Sequence, residues 1–216
     1  MPSAPERAAA DRFRVTMVTD RHRLGGTAAV ERAAVAAHAG LDCIQVREKD
    51  LGDLSLRALA AALVAAAKGT ATRVLVNGRP DIAVASGAAG VQLPEEGLPV
   101  GDVRRAFPAL TIGASCHSVE AVRRAAGEGA DFVLLGPIFA TPGKEERALG
   151  LAVLAAAAAA VAVPVHAIGG VTPARVADLR AAGARGGAAI RPFLEGPPDE
   201  IMRAFRAAEG GLPFST

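Results

Sequence analysis

Short apolar runs recur along this chain, and each is followed by a longer stretch in which apolar positions return every three or four residues. The short runs, rich in Val, Ile and Leu, predict strands, and the longer stretches predict amphipathic helices. Strands are expected over Arg14–Thr19, Asp42–Arg47, Arg73–Asn77, Gly90–Leu93, Leu110–Ala114, Asp131–Leu135, Val163–Ile168 and Gly186–Ile190. Helices are expected over Thr27–Ala39, Leu54–Lys68, Pro80–Ser86, Val100–Phe107, Ser118–Gly127, Leu151–Val161, Pro173–Ala182 and Pro198–Ala208.

Near-continuous apolar strands joined by helices imply a parallel sheet covered on its outer face. Eight strand–helix units within 216 residues favour closure into a single-domain (βα)8 TIM barrel of the α/β class. The barrel is expected over residues 11–216, behind a frayed segment at residues 1–10. An open doubly wound sheet is the alternative architecture for the same alternation.

Composition narrows the function classes. With 51% hydrophobic residues the chain can fill a full core. Its 24 basic and 22 acidic residues leave a net charge of +2, and no basic stripe marks a nucleic-acid partner. There is no Trp and no Tyr, and seven Phe are too few for base-stacking platforms. Cys43 and Cys116 lie in an expected strand or at its end, without metal-like spacing, which suits buried thiols in a reducing compartment. The opening MPSAPERAAADRF lacks the apolar core of a secretion signal, and the Ala-rich run from Leu151 to Val163 is too short to span a bilayer. A cytoplasmic protein without a membrane partner is expected, and a homo-oligomer is left open.

The chemistry of such a barrel lies at the C-terminal ends of its strands. Strand seven runs through Ile168, Gly169 and Gly170 into a helix start marked by Thr172 as N-cap and Pro173 at the first helical position. Glycines there let backbone N–H groups approach an anion, although a tight turn calls for the same residues. GARGGAAI, ending at Ile190 just before Arg191, is read as a second such end. Together they predict a small phosphorylated ligand.

Strand two ends in Gln45-Val46-Arg47-Glu48-Lys49. Alternation puts Gln45 and Arg47 on one side. The Arg47 fork suits a phosphate, Lys49 adds a point charge, and Glu48 is placed to orient one of them, or the group closes the barrel as an ion-pair network. Asn77, Ser115 and Thr141 follow other strands, and Lys144 stands in the glycine-containing loop TPGKEER as a phosphate ligand, a lid or a solvated lysine. His117 either contacts a ligand or caps the helix at Ser118. His166 lies within strand seven and is expected to be buried, while His22 and His38 read as surface residues. No HExxH, Cys/His cluster or Ser-His-Asp order supports zinc or triad chemistry.

Taken together, VTD, QVREK, VNGRPDIA, VQLP, IGASCHS, GADFVLLGPIF, VPVHAIGGVTP and GAAI resemble the thiamine phosphate synthase and thiazole tautomerase superfamily, from about Val15 to Ile190. The resemblance implies a (βα)8 barrel that binds a thiazole phosphate. It gives Gln45, Arg47, Lys49 and Asn77 to a pyrimidine pyrophosphate. It gives Ser115, Thr141, Lys144, Gly170, Ile190 and Arg191 to the thiazole phosphate and the reacting groups, although Arg191 stands where the family usually has serine.

The two branches differ in their chemistry. A synthase joins the pyrimidine pyrophosphate to the thiazole phosphate with magnesium, and its pattern has metal-binding aspartates where this chain has Gly78 and Gly97. A tautomerase shifts a double bond in a carboxythiazole phosphate and needs no metal, only a positioned acid/base. The histidine that follows the strand-six glycine in its best-known members is Pro137 here. NGR, VQLP and RRAFPALTIGASCHS look like the tautomerase branch. A tautomerase-like enzyme without cofactor or metal is therefore expected, with Lys144 or His117 as catalytic acid/base. The alternatives are a synthase using magnesium and a non-catalytic thiazole or thiamine phosphate binding protein.

Overall fold

Register fixes the architecture, because every strand pairs in parallel with the next and the eighth pairs with the first. The computed structural model describes residues 13–24, 28–140 and 145–209. The strands are β1 Arg14–Val18, β2 Cys43–Val46, β3 Arg73–Asn77, β4 Gly90–Leu93, β5 Thr111–Cys116, β6 Phe132–Leu135, β7 Val165–Ile168 and β8 Gly186–Ala189. The helices are α1 Arg21–Leu24, α2 Ala28–His38, α3 Asp53–Ala66, α4 Pro80–Ser86, α5 Val100–Ala106, α6 Val119–Gly127, α7 Gly150–Ala160, α8 Val176–Ala181, α9 Arg191–Glu195 and α10 Pro198–Glu209. This is the (βα)8 barrel expected from the alternation, and the open sheet is excluded by the β1–β8 pairing.

Alternation sorts each strand into two faces. Met17, Ile44, Val76, Val91, Ile112 and Leu135 are fully buried and pack under the helices in the main core. The opposite positions face the barrel axis and are smaller or polar, including Thr16, Gln45, Gln92 and His166. Both cysteines are free: Cys116 is buried and Cys43 half-buried, and burial pushes each thiol up to about 12, so both stay protonated near neutrality. Among the described residues, no helix is long and apolar enough to cross a membrane.

The differences from expectation are local. α1 and α9 span only four and five residues, too few to show an apolar period. Pro173–Arg175 is a 3-10 turn before α8, and Thr172 makes no side-chain cap bond, so the helix start there is tighter than the sequence implied. Gly186 and Gly187 open β8 rather than close it. A Cβ on Gly186 would lie 2.6 Å from the Arg14 carbonyl oxygen, and one on Gly187 would lie 2.9 Å from Val171 Cγ1. These two glycines allow close packing and do not form a second anion turn.

One carboxylate fastens the floor of the barrel. Asp42 accepts from the Val15 backbone N–H at 2.8 Å and from Arg206 Nη2 at 2.7 Å. Arg206 also donates to the carbonyls of Phe13 at 2.9 Å and Gly40 at 2.7 Å, tying α10 to β1 and the end of α2. Asp42→Ala is expected to cost about 2–3 kcal/mol by leaving these donors unsatisfied. A lowered urea midpoint at unchanged slope checks this, and an unmoved midpoint would refute it.

Candidate active site

The mouth lies at the C-terminal strand ends and is built in two unlike halves. In one, Gln45 Nε2 donates to Asn77 Oδ1 at 3.1 Å, and Gln92 Nε2 donates to Ser115 Oγ at 3.0 Å. Pairing of Gln45 with Leu75 and of Asn77 with Gln92 puts these polar side chains on the inward register of neighbouring strands. In the other, Val18, Leu134, Ile168, Ala188 and Ile190 form a small apolar cluster. Amides along one edge and aliphatics along the other suit a flat heteroaromatic ring.

Gln45, Asn77 and Ser115 therefore converge as expected. Gln92, within the strand expected over Gly90–Leu93, completes the set; its signal is a polar residue at an inward position of an apolar strand. Arg47 and Lys49 are exposed just beyond β2, and among the described residues neither side chain has an ion-pair partner. The Arg47 backbone N–H donates to Thr19 Oγ1 at 3.0 Å, which fixes where its side chain starts. Glu48 does not orient them. It is buried and accepts from the Arg21 backbone N–H at 3.1 Å, with Arg21 Nε 3.8 Å from its carboxylate, so it anchors the loop after β1.

At the other end, Ile168 pairs with Ala188, so Gly170 and Ile190 each stand two residues past the same rung. Gly169 and Gly170 have φ of +91° and +69°. A Cβ on Gly169 would come within 2.5 Å of Pro137 Cβ, and one on Gly170 within 2.6 Å of Arg175 Nη1 and 2.8 Å of Phe139 Cβ. The glycines thus answer to packing beneath the loop as well as to any anion above it. Arg175 donates to the Gly170 carbonyl at 2.7 Å and lies 4.1 Å over the Phe139 ring. Arg191 opens α9 and turns to Glu195, with Nε 3.6 Å from Oε1.

His117 does not cap α6. Ser118 does, accepting from the Ala121 N–H at 3.1 Å. His117 Nδ1 is hydrogen-bonded to Glu95 Oε2 at 2.6 Å, and Glu95 Oε1 lies 3.6 Å from Arg124 Nη2. A cavity of about 260 Å³, walled by Leu93, Ala114, Cys116 and Arg124 under the 94–99 loop, adjoins the mouth at Ser115. His166 is buried inside the barrel beside the Phe132 ring, centroids 5.0 Å apart, and desolvation pushes its imidazole down to about 4. His22 meets Asp50 and His38 its own helix at the surface. Thr141 and Lys144 lie outside the described residues.

The positions where the resemblance implies magnesium ligands are glycines, with Gly78 at φ +68°. Asp53 and Asp81 are held by Arg79 at 2.5 and 2.7 Å, and its guanidinium keeps both carboxyls below their usual range. Among the described residues no group of three or more His, Cys, Asp and Glu could hold a metal ion. The residues present do not fit magnesium.

Fold and mouth together define a (βα)8 barrel with an amide-lined opening and glycine-bearing turns at its seventh strand. Residues 15–193 match the family described as thiamine monophosphate synthase, and the chain belongs to that family. It is 43% identical over 194 residues to the thiamine-phosphate synthase of Methanoculleus marisnigri, covering 88% of this chain and 92% of that one. It is 39% identical over 201 residues to the thiamine-phosphate synthase of Anaeromyxobacter dehalogenans, covering 88% and 90%. The thiamine phosphate pyrophosphorylase structure from Pyrococcus furiosus superposes with a TM-score of 0.84 at 28% identity, covering 93% and 97%. These relatives carry synthase names, and none of them supports the tautomerase branch in particular.

Proposed function

We propose that this chain performs the synthase reaction, joining a hydroxymethylpyrimidine pyrophosphate to a thiazole phosphate. The observation that carries this reading is that the mouth has two places for anions. Among the described residues Arg47 and Lys49 stand without ion-pair partners, just past Gln45 on the strand next to Asn77, while the Gly169–Gly170 turn and Ile190 lie at the ends of β7 and β8. Joining two phosphorylated substrates calls for both, whereas isomerising one thiazole phosphate calls for one. The names of the relatives support the same choice.

In this reading Gln45 and Asn77 exchange their mutual hydrogen bond for bonds to the pyrimidine edge. Arg47 and Lys49 meet the pyrophosphate, and backbone N–H groups of Gly170 and Ile190 or Arg191 meet the thiazole phosphate. The thiazole nitrogen then forms a bond to the pyrimidine methylene carbon as the carbon–oxygen bond to pyrophosphate breaks. The bonding pair leaves with pyrophosphate, where Arg47 and Lys49 offset its charge.

A second reading, isomerisation of a carboxythiazole phosphate, is favoured by the glycines at 78 and 97 and by the Glu95-held His117, a positioned imidazole that could move a proton. Lys144 is the other candidate acid/base. Offering the purified chain both synthase substrates, and separately the carboxythiazole phosphate alone, tests the choice. Thiamine phosphate is expected from the pair. Arg47→Ala is expected to lower kcat/KM about 10–100-fold through loss of a charge-assisted contact. Isomerisation without thiamine phosphate formation would replace the synthase reading, and binding without turnover would make the chain a thiazole phosphate carrier.

A further inference from the structure

Pro94 stands at the corner between β3 and β4, against both Gly78 and Gly97. Gly78 donates its N–H to the Gln92 carbonyl at 2.8 Å with φ +68°, and a Cβ there would lie 3.6 Å from Pro94 Cδ. Gly97 donates its N–H to the Pro94 carbonyl at 2.9 Å. A Cβ on Gly97 would lie 3.0 Å from that same carbonyl oxygen and 3.1 Å from Pro94 Cδ. At Gly78 the ring stands at ordinary contact distance, whereas at Gly97 the Pro94 carbonyl and ring together leave a Cβ less than ordinary clearance.

The carboxylates flanking this corner are already engaged. Glu95 is held by His117 at 2.6 Å and lies 3.6 Å from Arg124, while Arg79 holds Asp53 and Asp81. Magnesium needs several hard oxygen donors in near-octahedral array, and one exposed Glu96 cannot supply them. We infer that this mouth holds no divalent cation, that Pro94 is the residue that closes the cation corner, and that Arg47 and Lys49 carry the charge of the departing pyrophosphate instead. The role given to Arg47 and Lys49 rests on the synthase reading; the closed corner does not.

The test uses the full chain and Mn2+ as probe, followed by the paramagnetic resonance signal of the free ion. The unaltered chain is expected to leave that signal unchanged at millimolar metal. Gly78→Asp with Gly97→Asp is expected to gain no site while Pro94 is present, and to gain a saturable one when Pro94→Gly is added. Circular dichroism checks that each variant folds; should the triple variant fail to fold, the unaltered chain still decides. Saturable Mn2+ binding by the unaltered chain overturns the inference, and binding by the double variant overturns the role of Pro94. In the assay, thiamine phosphate formation is expected at the same rate with magnesium or with a chelator. Strict dependence on magnesium overturns the inference. No thiamine phosphate in either condition overturns the synthase reading, and the Mn2+ titration then judges the corner by itself.

Discussion

Lowering the pH from 6.5 to 4 is expected to cost this barrel about 3 kcal/mol of unfolding free energy through one side chain, His166. Burial inside the barrel depresses its pKa from 6.5 to about 4, with Asp42 opposing that shift and Arg14 adding to it. In this window the unfolded chain binds the proton and the folded chain does not, so acid favours unfolding. The stability is fully present above 6.5 and is lost progressively as the pH falls towards 4. Asp50, Asp53 and Asp81 are lowered too, but from 3.8, so their contribution is lost only in stronger acid and the two effects separate. His166→Leu removes the titrating ring together with Nδ1, which has no hydrogen-bond partner among the described residues. Urea unfolding across this range is expected to lose about 1.4 kcal/mol per pH unit of its slope in that variant. An unchanged slope would remove His166 from the account.

Gly90→Ala is expected to cost about 3–4 kcal/mol or to prevent folding, at the severe end for a single methyl group. A Cβ there would stand 2.0 Å from the Thr111 carbonyl oxygen and 2.8 Å from Leu75 Cδ2. Gly90 pairs with Leu75 on one side and Thr111 on the other, so neither neighbouring strand can yield without disturbing the ladder. No side-chain rotation relieves a contact with backbone. Gly127→Ala is the matched control: nothing lies within 4 Å of its Cβ, and it ends helix α6. That change is expected to be neutral or to stabilise by up to about 1 kcal/mol. Similar urea midpoints for the two variants would refute the argument.

Strands were legible because burial on both faces writes them as apolar runs: β3 and β4 match their expected limits, and β5 runs two residues past its own. The site was legible where a polar residue broke such a run at an inward position, as with Gln45, Asn77 and Ser115. What the chain did not disclose depends on contacts between distant segments. Glu48 turns to Arg21 and not to its neighbours Arg47 and Lys49, and His117 meets Glu95, 22 residues away. The same holds for Gly186 and Gly187, whose reason lies in Arg14 and Val171 beside them. The leaning towards the tautomerase branch weighed Gly78 and Gly97 above the rest of the chain, whose relatives carry synthase names.

The mutual hydrogen bonds of Gln45 with Asn77 and of Gln92 with Ser115 bear on discrimination. Each of these side chains has a partner on the neighbouring strand, so its donor or acceptor is already engaged. A ring entering there must offer donors and acceptors as good as those it displaces. An apolar ring of the same outline would part the pairs and return nothing, leaving buried polar atoms unmatched, a loss that binding sites of this kind turn into large selectivity ratios. On the synthase reading, the barrel would tell a heterocycle from a hydrocarbon look-alike by what the intruder fails to replace, with steric exclusion needed only for the final fit.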